Sequence, residues 1–500
     1  MISAYLRNNK AFGYMRPFLV TAALLGLATL WLLGHNYIND IALLRWSLVL
    51  TVFDTPEVRL ENIGLMHPHV PVYALIPFYY SKILATPAAP YLVSVLSGAL
   101  LLTIWNYQLK INRYSDGMRY LMVAVVMTNP LFLWVVTTGS GRALSLLCFF
   151  LICFAIMRTL LQRDTRGVIL LAGSLGAYFF VDEKAFFVVI AAVPLLPLIA
   201  SPKMLRESPL GVYVLILLPA VFSILSWFYL NWIFHGDAET FLTAPDSEFL
   251  AARLTSGESL WLLRYGGTLA TASIIVVLSA LAMFPALGWQ LYAVWHTGRL
   301  RHGIGVYFLI PVVAAAIATA GFYLGHPAEM LFLLLAGVML GMLVMPRNKL
   351  QQRQVAVALL LLGNLLTILL FYYQPSGDMR NWQQAMSGRQ LEQQYAEELR
   401  LGRWLAVGDR ATLIDERAGY RVIASRGGSG DLLLSHMPEF KFALKHDVPS
   451  VEQLVVMNPK HKEAYLDRVT QRYPRLFNDG MPGYARVYSG KQWAVFRRID

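Results

Sequence analysis

The residue types that could do chemistry gather in one stretch of the chain, residues 36–87. Its members are Asn39, Asp40, Asp54, Glu57, Arg59, Glu61, His67 and His69. Further ionisable side chains follow at intervals: Arg142, Asp182, Glu183, Lys184, Arg253, Arg264, His326 and Glu329. Carboxylates and cations that meet in one place suit a reaction that removes a proton from an acceptor and stabilises a departing phosphate.

The signatures of soluble enzymes are absent. The chain has no phosphate-binding loop, no dinucleotide fingerprint, no HExxH zinc motif and no GxSxG nucleophile motif. The glycine-rich stretches 139–142 (GSGR) and 426–430 (RGGSG) do not lie between a strand and a helix, as a phosphate-binding loop does, so they are predicted to be turns. The only cysteines, Cys148 and Cys153, fall in one apolar segment and are predicted to be buried there.

The elements that must position these residues are predicted to be membrane-spanning helices. The 500-residue chain is 57% hydrophobic and 14% charged, whereas ordinary soluble domains have roughly 25% charged residues. A span needs about 20 mostly apolar residues. About eleven segments qualify: 17–35, 88–109, 118–138, 141–162, 167–181, 185–200, 209–235, 267–295, 305–324, 327–345 and 354–373.

The basic residues predict the orientation of these spans. With the N-terminus inside, the inner loops hold sixteen Lys and Arg against three acids, and the outer loops up to residue 373 hold seven against twelve. Such an excess of Lys and Arg marks the cytoplasmic side. The net charge of +12 is therefore a signal of topology, and no nucleic-acid partner is expected.

Two apolar segments, 41–53 and 70–80, are too short to span. Each would reverse the side of every later basic loop if it crossed alone, so both are predicted to be interfacial or re-entrant segments of the first outer loop, 36–87. After residue 373 the long apolar runs stop. A helical pattern over 382–404, short strand-like runs (411–415, 420–424, 431–435, 453–457, 484–488, 492–496) and a second helix near 461–473 predict a small outer α/β domain, 374–500.

The order of these elements resembles the GT-C superfamily of membrane glycosyltransferases, which includes protein mannosyltransferases and the aminoarabinose transferases of lipid A. The shared features are an inside N-terminus, one span, a long outer loop that opens with Asp40, short interfacial helices, an entry rich in His and Pro, and a C-terminal outer α/β domain. The family often has two acids after the first span, whereas this chain has Asn39 and Asp40. The resemblance implies a sugar donor linked to polyprenyl phosphate, and it leaves a divalent metal open as a cofactor.

The resemblance also implies roles for individual residues. Asp40 matches the family's catalytic carboxylate, a general base for direct inversion at the anomeric carbon; the alternative is a loop acid or a cap for the following helix. Donor or acceptor contacts are expected from Glu61, His67, His69 and Glu183, with a structural turn or a salt bridge as the alternatives. The donor phosphate is expected to bind Arg142, Lys184, Arg264 and His326, and the alternative for each of these is an interfacial side chain that reaches toward water.

The sequence therefore predicts a polytopic α-helical protein of GT-C type in the cytoplasmic (inner) membrane, with residues 1–373 as the transmembrane domain and 374–500 in the periplasm or exterior. Its expected reaction passes a sugar to a lipid, glycan or protein acceptor. The alternatives are a flippase or transporter of lipid-linked sugars, a polysaccharide polymerase or ligase, and a non-enzymatic assembly subunit with the same architecture. A transporter predicts ionisable residues at mid-membrane and internal repeats, and the sequence has no apparent repeat.

Overall fold

The computed structural model describes residues 10–54, 67–81, 85–162, 165–182, 184–199, 206–243, 269–323, 331–346, 350–373, 377–393, 395–408, 410–446, 449 and 451–499. Residues 10–199 of this set form helices α1 (Lys10–Gly34), α2 (Asp40–Phe53), α3 (Val70–Tyr73), α4 (Ile76–Tyr80), α5 (Ala89–Ile111), α6 (Asp116–Met127), α7 (Pro130–Thr137), α8 (Arg142–Gln162), α9 (Thr165–Phe179), α10 (Ala185–Ala192) and α11 (Leu196–Ile199).

The chain continues as α12 (Pro209–His235), α13 (Thr240–Thr243), α14 (Leu269–Met283), α15 (Pro285–Trp295), α16 (Ile310–Tyr323), α17 (Leu334–Val344), α18 (Leu350–Tyr373), α19 (Gly377–Met386) and α20 (Ala396–Leu405). The rest comprises β1 (Thr412–Leu413), α21 (Glu416–Arg426), β2 (Leu432–Leu433), α22 (Pro438–Ala443), β3 (Gln453–Met457), α23 (Arg468–Arg472), α24 (Leu476–Asp479), β4 (Tyr484–Ser489) and β5 (Trp493–Arg498).

The protein is an integral membrane protein with several spans. Within the residues given above, five helices are long and apolar enough to cross a bilayer: α1, α5, α8, α12 and α18. The number rises to seven if each of two bent helix pairs is one span. Shorter apolar helices include α9, α10, α16 and α17. All of α17 is buried, as expected of a helix that is apolar on every side. The count of eleven spans and their orientation stay predictions.

Two predicted continuous spans are broken helices. Segment 118–138 consists of α6 and α7, which meet at 68°, because Asn129 caps α7 and Pro130 begins it. Segment 267–295 contains α14 and α15, which meet at 82°, because Pro285 begins α15. A proline has no amide hydrogen and crowds the preceding turn, so it begins a helix readily but interrupts one.

The chain forms two compact units, Met1–Tyr37 with Tyr91–Gln390 and Ile38–Pro90 with Leu391–Asp500; these are called the first and the second unit below. The second unit therefore combines most of the predicted first loop with the C-terminal part of the chain. The domain boundary at residues 373 and 374 stays a prediction.

The second unit contains a five-stranded sheet with strand order β2-β1-β3-β5-β4. Strand β1 pairs in parallel with β2 and β3, and β5 pairs antiparallel with β3 and β4. Every side chain of β3 is buried, as is typical of a central strand covered on both faces. Its core includes Leu413, Phe440, Leu454, Val456, Val469, Ala494 and Phe496. The prediction of a C-terminal sheet with helices is confirmed.

Three local predictions for the C-terminal part of the chain, residues 374–500, are wrong. The run 420–424 is not a strand but lies in helix α21, which Asp415 caps at its start and Gly427 ends in the left-handed conformation (φ 82°). The helical pattern 382–404 is interrupted after α19, where Gly388 has φ 84°. The predicted helix 461–473 is a 3-10 turn followed by α23, because Asp467 caps a new helix in the middle of that segment.

Candidate functional site

Asp40 lies in the first turn of α2 and leaves the capping role to its neighbour. Asn39 has an extended backbone, and its side-chain oxygen accepts a hydrogen bond from the Ala42 amide (3.2 Å). An Asn before the first turn in this way satisfies an amide that has no partner within the helix. The alternative in which Asp40 caps the helix is therefore wrong, and its carboxylate binds other groups.

Two consecutive side chains of α21 bind the Asp40 carboxylate. Arg421 donates from Nε to Oδ1 (2.6 Å) and from Nη2 to Oδ2 (3.0 Å). Tyr420 donates its hydroxyl to Oδ2 (2.7 Å). The two-pronged arginine contact fixes the plane of the carboxylate as well as its position.

Arg421 is also held by groups other than Asp40. Its Nη1 donates to Glu463 (2.7 Å), and Glu398 lies 3.9 Å away. The rings of Tyr395 and Tyr420 lie 4.6 and 4.8 Å from its guanidinium carbon, within the range of a cation–π interaction. One buried cation therefore joins three carboxylates and two aromatic rings.

The protonation states of this cluster follow from its surroundings. Burial alone would lower the pKa of Arg421, but its hydrogen bonds to Asp40 and Glu463 outweigh burial and raise the pKa above its ordinary value. Burial and the Asp40 carboxylate raise the pKa of Tyr420 well above 10. Burial also raises the pKa of Glu398. Tyr420 and Arg421 thus remain hydrogen-bond donors at any physiological pH.

Close helix packing brings Tyr420 and Arg421 to their places. Helix α21 packs against α2 and α20. A Cβ atom on Gly402 of α20 would overlap the Ser425 hydroxyl and the carbonyl oxygen of Val422 in α21. The Ser425 hydroxyl in turn lies 3.3 Å from the carbonyl oxygens of Glu398 and Leu399. A residue without a side chain is therefore required where the two helices cross.

The other end of α2 is also bound by the C-terminal part of the second unit. Asp54 follows the last turn, and its Oδ2 accepts a hydrogen bond from the Ser429 amide (3.0 Å). The Ser429 hydroxyl donates to the Leu50 carbonyl oxygen (2.9 Å), and Tyr79 donates to Asp54 Oδ1. The glycine-rich stretch 426–430 is a turn, as predicted, and it binds the C-terminal end of α2.

The two histidines lie at the start of α3. His67 is buried, and His69 precedes the first residue of the helix without a capping hydrogen bond from its side chain. His69 Nδ1 lies 3.3 Å from the hydroxyl of Tyr73, one turn later. This geometry accounts for His69 locally, and a contact of either histidine with a substrate stays a prediction.

In the first unit, Arg142 begins α8 directly after a turn. Gly139 and Gly141 have φ of 69° and 74°, so the stretch 139–142 is the predicted turn. The guanidinium carbon of Arg142 lies 4.1 Å from the ring of Trp134. The aromatic face holds the cation by a cation–π interaction.

Lys184 of the first unit forms a buried ion pair with Asp182. Its Nζ lies 2.7 Å from Asp182 Oδ1, and the two side chains are 13% and 7% exposed. The Lys184 amide donates to the same oxygen (2.9 Å). A phosphate bound by Lys184 would therefore share the ammonium group with Asp182. The remaining predicted site residues, Glu61, Glu183, Arg264 and His326, lie outside the part of the chain that the structure describes.

The carboxylates around Arg421 do not fit a divalent metal. The guanidinium group lies between Asp40, Glu398 and Glu463, in the position that an ion would need. Across the described ranges, no group of three His, Cys, Asp or Glu side chains could hold a metal ion.

A second set of buried acids stabilises the helix starts of this unit. Asp415 caps α21, accepting from the amides of Arg417 (3.1 Å) and Arg468 (2.9 Å). Burial and the nearby charge of Glu416 raise the pKa of Asp415 to about 7. Burial also raises the pKa of Asp467, the cap of α23. Four backbone and side-chain hydrogen bonds occupy Asp467, so a structural role accounts for it.

The sequence singles out Asp40 as a candidate but not its partners Tyr420 and Arg421. The run 420–424 has the residue pattern of a strand, and that pattern does not place these two side chains on one helical turn. The signals for a helix were present in Asp415 before the run and Gly427 after it. That helix would have drawn attention to an arginine among apolar residues.

Comparisons with known proteins show a similarity of fold to a solved structure. No protein-family profile matches the sequence, and no curated protein matches it. Among solved structures, the crystal structure of ArnT from Cupriavidus metallidurans bound to undecaprenyl phosphate matches with a TM-score of 0.53 and 12% sequence identity. The match covers 98% of this chain and 98% of that chain. It confirms, at the level of the fold, the resemblance to GT-C membrane glycosyltransferases.

Proposed function

We propose that this protein is a membrane glycosyltransferase that transfers a sugar from a polyprenyl-phosphate-linked donor to a lipid, glycan or protein acceptor. The observation that carries the proposal is the end-to-end similarity of fold to ArnT, which was solved with undecaprenyl phosphate. A fold alone does not define a function. The proposal therefore also depends on a carboxylate at the position where the family resemblance expects the general base.

Asp40 is the proposed general base. Its side chain is 38% exposed, so an acceptor hydroxyl can approach it. Asp40 takes the hydroxyl proton while the acceptor oxygen forms a bond to the anomeric carbon and the bond from that carbon to the phosphate oxygen breaks. The electron pair of the broken bond leaves with polyprenyl phosphate, and attack from the opposite face inverts the anomeric configuration. Proton removal by a positioned base typically contributes 10²–10⁴-fold to a rate.

Cations of the chain would stabilise the leaving phosphate. The proposed ligands are Arg142, Lys184, Arg264 and His326, with Glu61, Glu183, His67 and His69 as further donor or acceptor contacts. Arginine suits this role because its planar fork binds two phosphate oxygens at once. We further propose that the reaction takes place on the outer side of the cytoplasmic membrane, because the basic loops predict that side for the first loop and the C-terminal part.

The test compares two aspartates that pair with arginines of the same helix. Asp431 pairs with Arg426 of α21, and its side chain is 39% exposed. That exposure is close to the 38% of Asp40. Purified protein is incubated with undecaprenyl phosphate carrying one of a panel of sugars, with and without an extract of membrane lipids and glycans as acceptor. Mass spectrometry measures the undecaprenyl phosphate that is released.

The expected result is release that requires acceptor, that is abolished by Asp40→Asn and that Asp431→Asn leaves near the wild-type rate. Full activity of Asp40→Asn would overturn the role of the base. If no donor in the panel releases undecaprenyl phosphate, and labelled donor instead crosses the bilayer of reconstituted vesicles, the protein is a transporter and the proposal is wrong.

A further inference from the structure

The Asp40 carboxylate receives three hydrogen bonds from one helix of the C-terminal part, and the proposed reaction uses none of those donors directly. Tyr420 and Arg421 contact Asp40 across 380 and 381 positions of sequence. Neither side chain is needed to take a proton from an acceptor. The geometry of their hydrogen bonds to Asp40 indicates what they do.

The three donors leave one side of the carboxylate open. Oδ2 accepts from both Tyr420 and Arg421, whereas Oδ1 accepts from Arg421 alone. An ionised carboxylate has about four lone-pair positions, two on each oxygen. These three hydrogen bonds therefore leave one lone-pair position of Oδ1 unoccupied. A general base needs one such position within hydrogen-bond reach of the acceptor hydroxyl.

Arg421 is oriented independently of Asp40. Glu463 binds Nη1 (2.7 Å), and the rings of Tyr395 and Tyr420 lie beside the guanidinium. Tyr395 has φ 58°, in the left-handed region, which is an unfavourable conformation for a residue other than glycine. The backbone thus adopts an unfavourable conformation at the residue whose ring lies beside the arginine. Such strain is common at functional sites.

Stability alone is a weak explanation for the contact with Asp40. The Arg421 side chain is 7% exposed, and Glu463 and Glu398 already provide two negative charges for it. Asp40 is 38% exposed, so water reaches its carboxylate and weakens the attraction between its charge and that of Arg421. The bidentate geometry fixes the orientation of the carboxylate as well as pairing its charge.

We propose that Tyr420 and Arg421 are positioning residues, which hold the Asp40 carboxylate so that the open side of Oδ1 faces the acceptor hydroxyl. The inference rests on the proposed function of Asp40. In the transfer step the hydroxyl proton moves to Oδ1, while Tyr420 and Arg421 keep their own protons and their bonds to the carboxylate. The C-terminal part of the chain then contributes directly to the active site.

The test uses the conservative variants Tyr420→Phe and Arg421→Lys, with Arg426→Lys as the matched control. Arg426 is on the same helix, its side chain is 9% exposed and it pairs with Asp431. Loss of the hydroxyl or of the two-pronged contact lets the carboxylate rotate, and a small misplacement of a reacting group can cost about 100-fold in rate. We expect kcat to fall about 10- to 100-fold in both variants, with KM for the undecaprenyl-phosphate sugar within about twofold of wild type.

The control and a double variant separate positioning from structure. Arg426→Lys is expected to keep the wild-type kcat, and an equal loss there would overturn the inference. In the Asp40→Asn background, Tyr420→Phe should cause no further loss, because the group that it positions has gone. Wild-type kcat in Tyr420→Phe and Arg421→Lys, together with an inactive Asp40→Asn, would overturn positioning and leave the proposed function intact. Full activity of Asp40→Asn would overturn the proposed function itself.

Discussion

A carboxylate at the junction between a loop and a helix is common in proteins, and the neighbours of Asp40 are what distinguish it. Asn39 caps the helix, which frees the Asp40 side chain from a local role. Tyr420 and Arg421 then orient the carboxylate from a distant part of the chain. The residue type was evident from sequence, but its partners depend on the tertiary fold.

The buried pair of Asp182 and Lys184 gives a prediction about stability. Lys184→Met removes the cation beside a carboxylate that is 7% exposed, and breaking a buried pair in this way costs about 3–5 kcal/mol. We expect a lower Tm for Lys184→Met in detergent, and a Tm close to wild type for Asp182→Asn with Lys184→Met. If Lys184 also binds the donor phosphate, the stable double variant is still impaired in binding undecaprenyl phosphate, which native mass spectrometry measures. Equal Tm values for the single and double variants would contradict the pairing.

Asp415 gives a prediction about pH. Its pKa is about 7 in the folded protein because of burial, against about 4 in an unfolded chain. Between these values the folded state retains a proton that the unfolded state has lost, so stability falls as pH rises from about 4 to 7, by at most about 4 kcal/mol. Asp415→Asn should remove this fall.

The measurement for Asp415 is hydrogen exchange in peptides that cover β3, corrected for the intrinsic exchange rate at each pH. Wild-type protection should fall from pH 5 to pH 8 more steeply than that of Asp415→Asn, which also keeps a side chain suited to capping. Identical slopes for the two proteins would show that Asp415 does not titrate in this range.

At the scale of the elements, the sequence predicts what depends on local pattern and fails where tertiary contacts decide. The long apolar helices and the strands β3, β4 and β5 follow from runs of apolar residues. The run 420–424 has the aromatic and β-branched residues of a strand, yet it is helical because Asp415 and Gly427 delimit it and its apolar side packs inward. The proline breaks at Pro130 and Pro285 were readable, but the sharpness of each bend depends on packing.

The crossing of α20 and α21 gives a prediction at this scale. Gly402→Ala would place a methyl group against the Ser425 hydroxyl and the backbone of α21, at a cost of about 1–3 kcal/mol for the overlap. Because α21 bears Tyr420 and Arg421, we expect a lower Tm and a lower kcat. Gly408→Ala is the control, since a Cβ atom there meets nothing within 4 Å, and it should change neither quantity. Wild-type behaviour of Gly402→Ala would argue against the close crossing.

At the scale of the whole molecule, the distribution of charge predicts which parts face each side of the membrane. Sixteen basic residues in the predicted inner loops, against seven in the outer loops up to residue 373, favour a C-terminal part outside the cytoplasm. Orientation can be predicted from the sequence because it depends on how many Lys and Arg residues each loop contains. Among the described residues, only five helices are long enough to span by themselves. The other predicted spans fall on bent helix pairs and on shorter apolar helices, so a count by helix length is smaller than the eleven predicted from the sequence.

The orientation is testable with single cysteines. Val407 of the second unit is 90% exposed, and Arg299 lies exposed in a predicted inner loop. In a background without Cys148 and Cys153, a maleimide that cannot cross membranes should label Val407→Cys in intact spheroplasts. It should label Arg299→Cys only after permeabilisation. The reverse pattern would invert the orientation and place Asp40 on the side that contains nucleotide sugars.

Helix α2 is bound at both of its ends by residues made much later, Arg421 and Tyr420 at Asp40 and Ser429 at Asp54, with 375–381 positions between the partners. A ribosome adds roughly 5–20 residues per second, so α2 leaves it about 20–80 s before its partners exist. The second unit must therefore complete its assembly after synthesis is nearly finished, whatever the first unit has done by then. A stop codon before residue 420 would leave α2 without these contacts, and expression of residues 391–500 alone would leave the C-terminal part without α2.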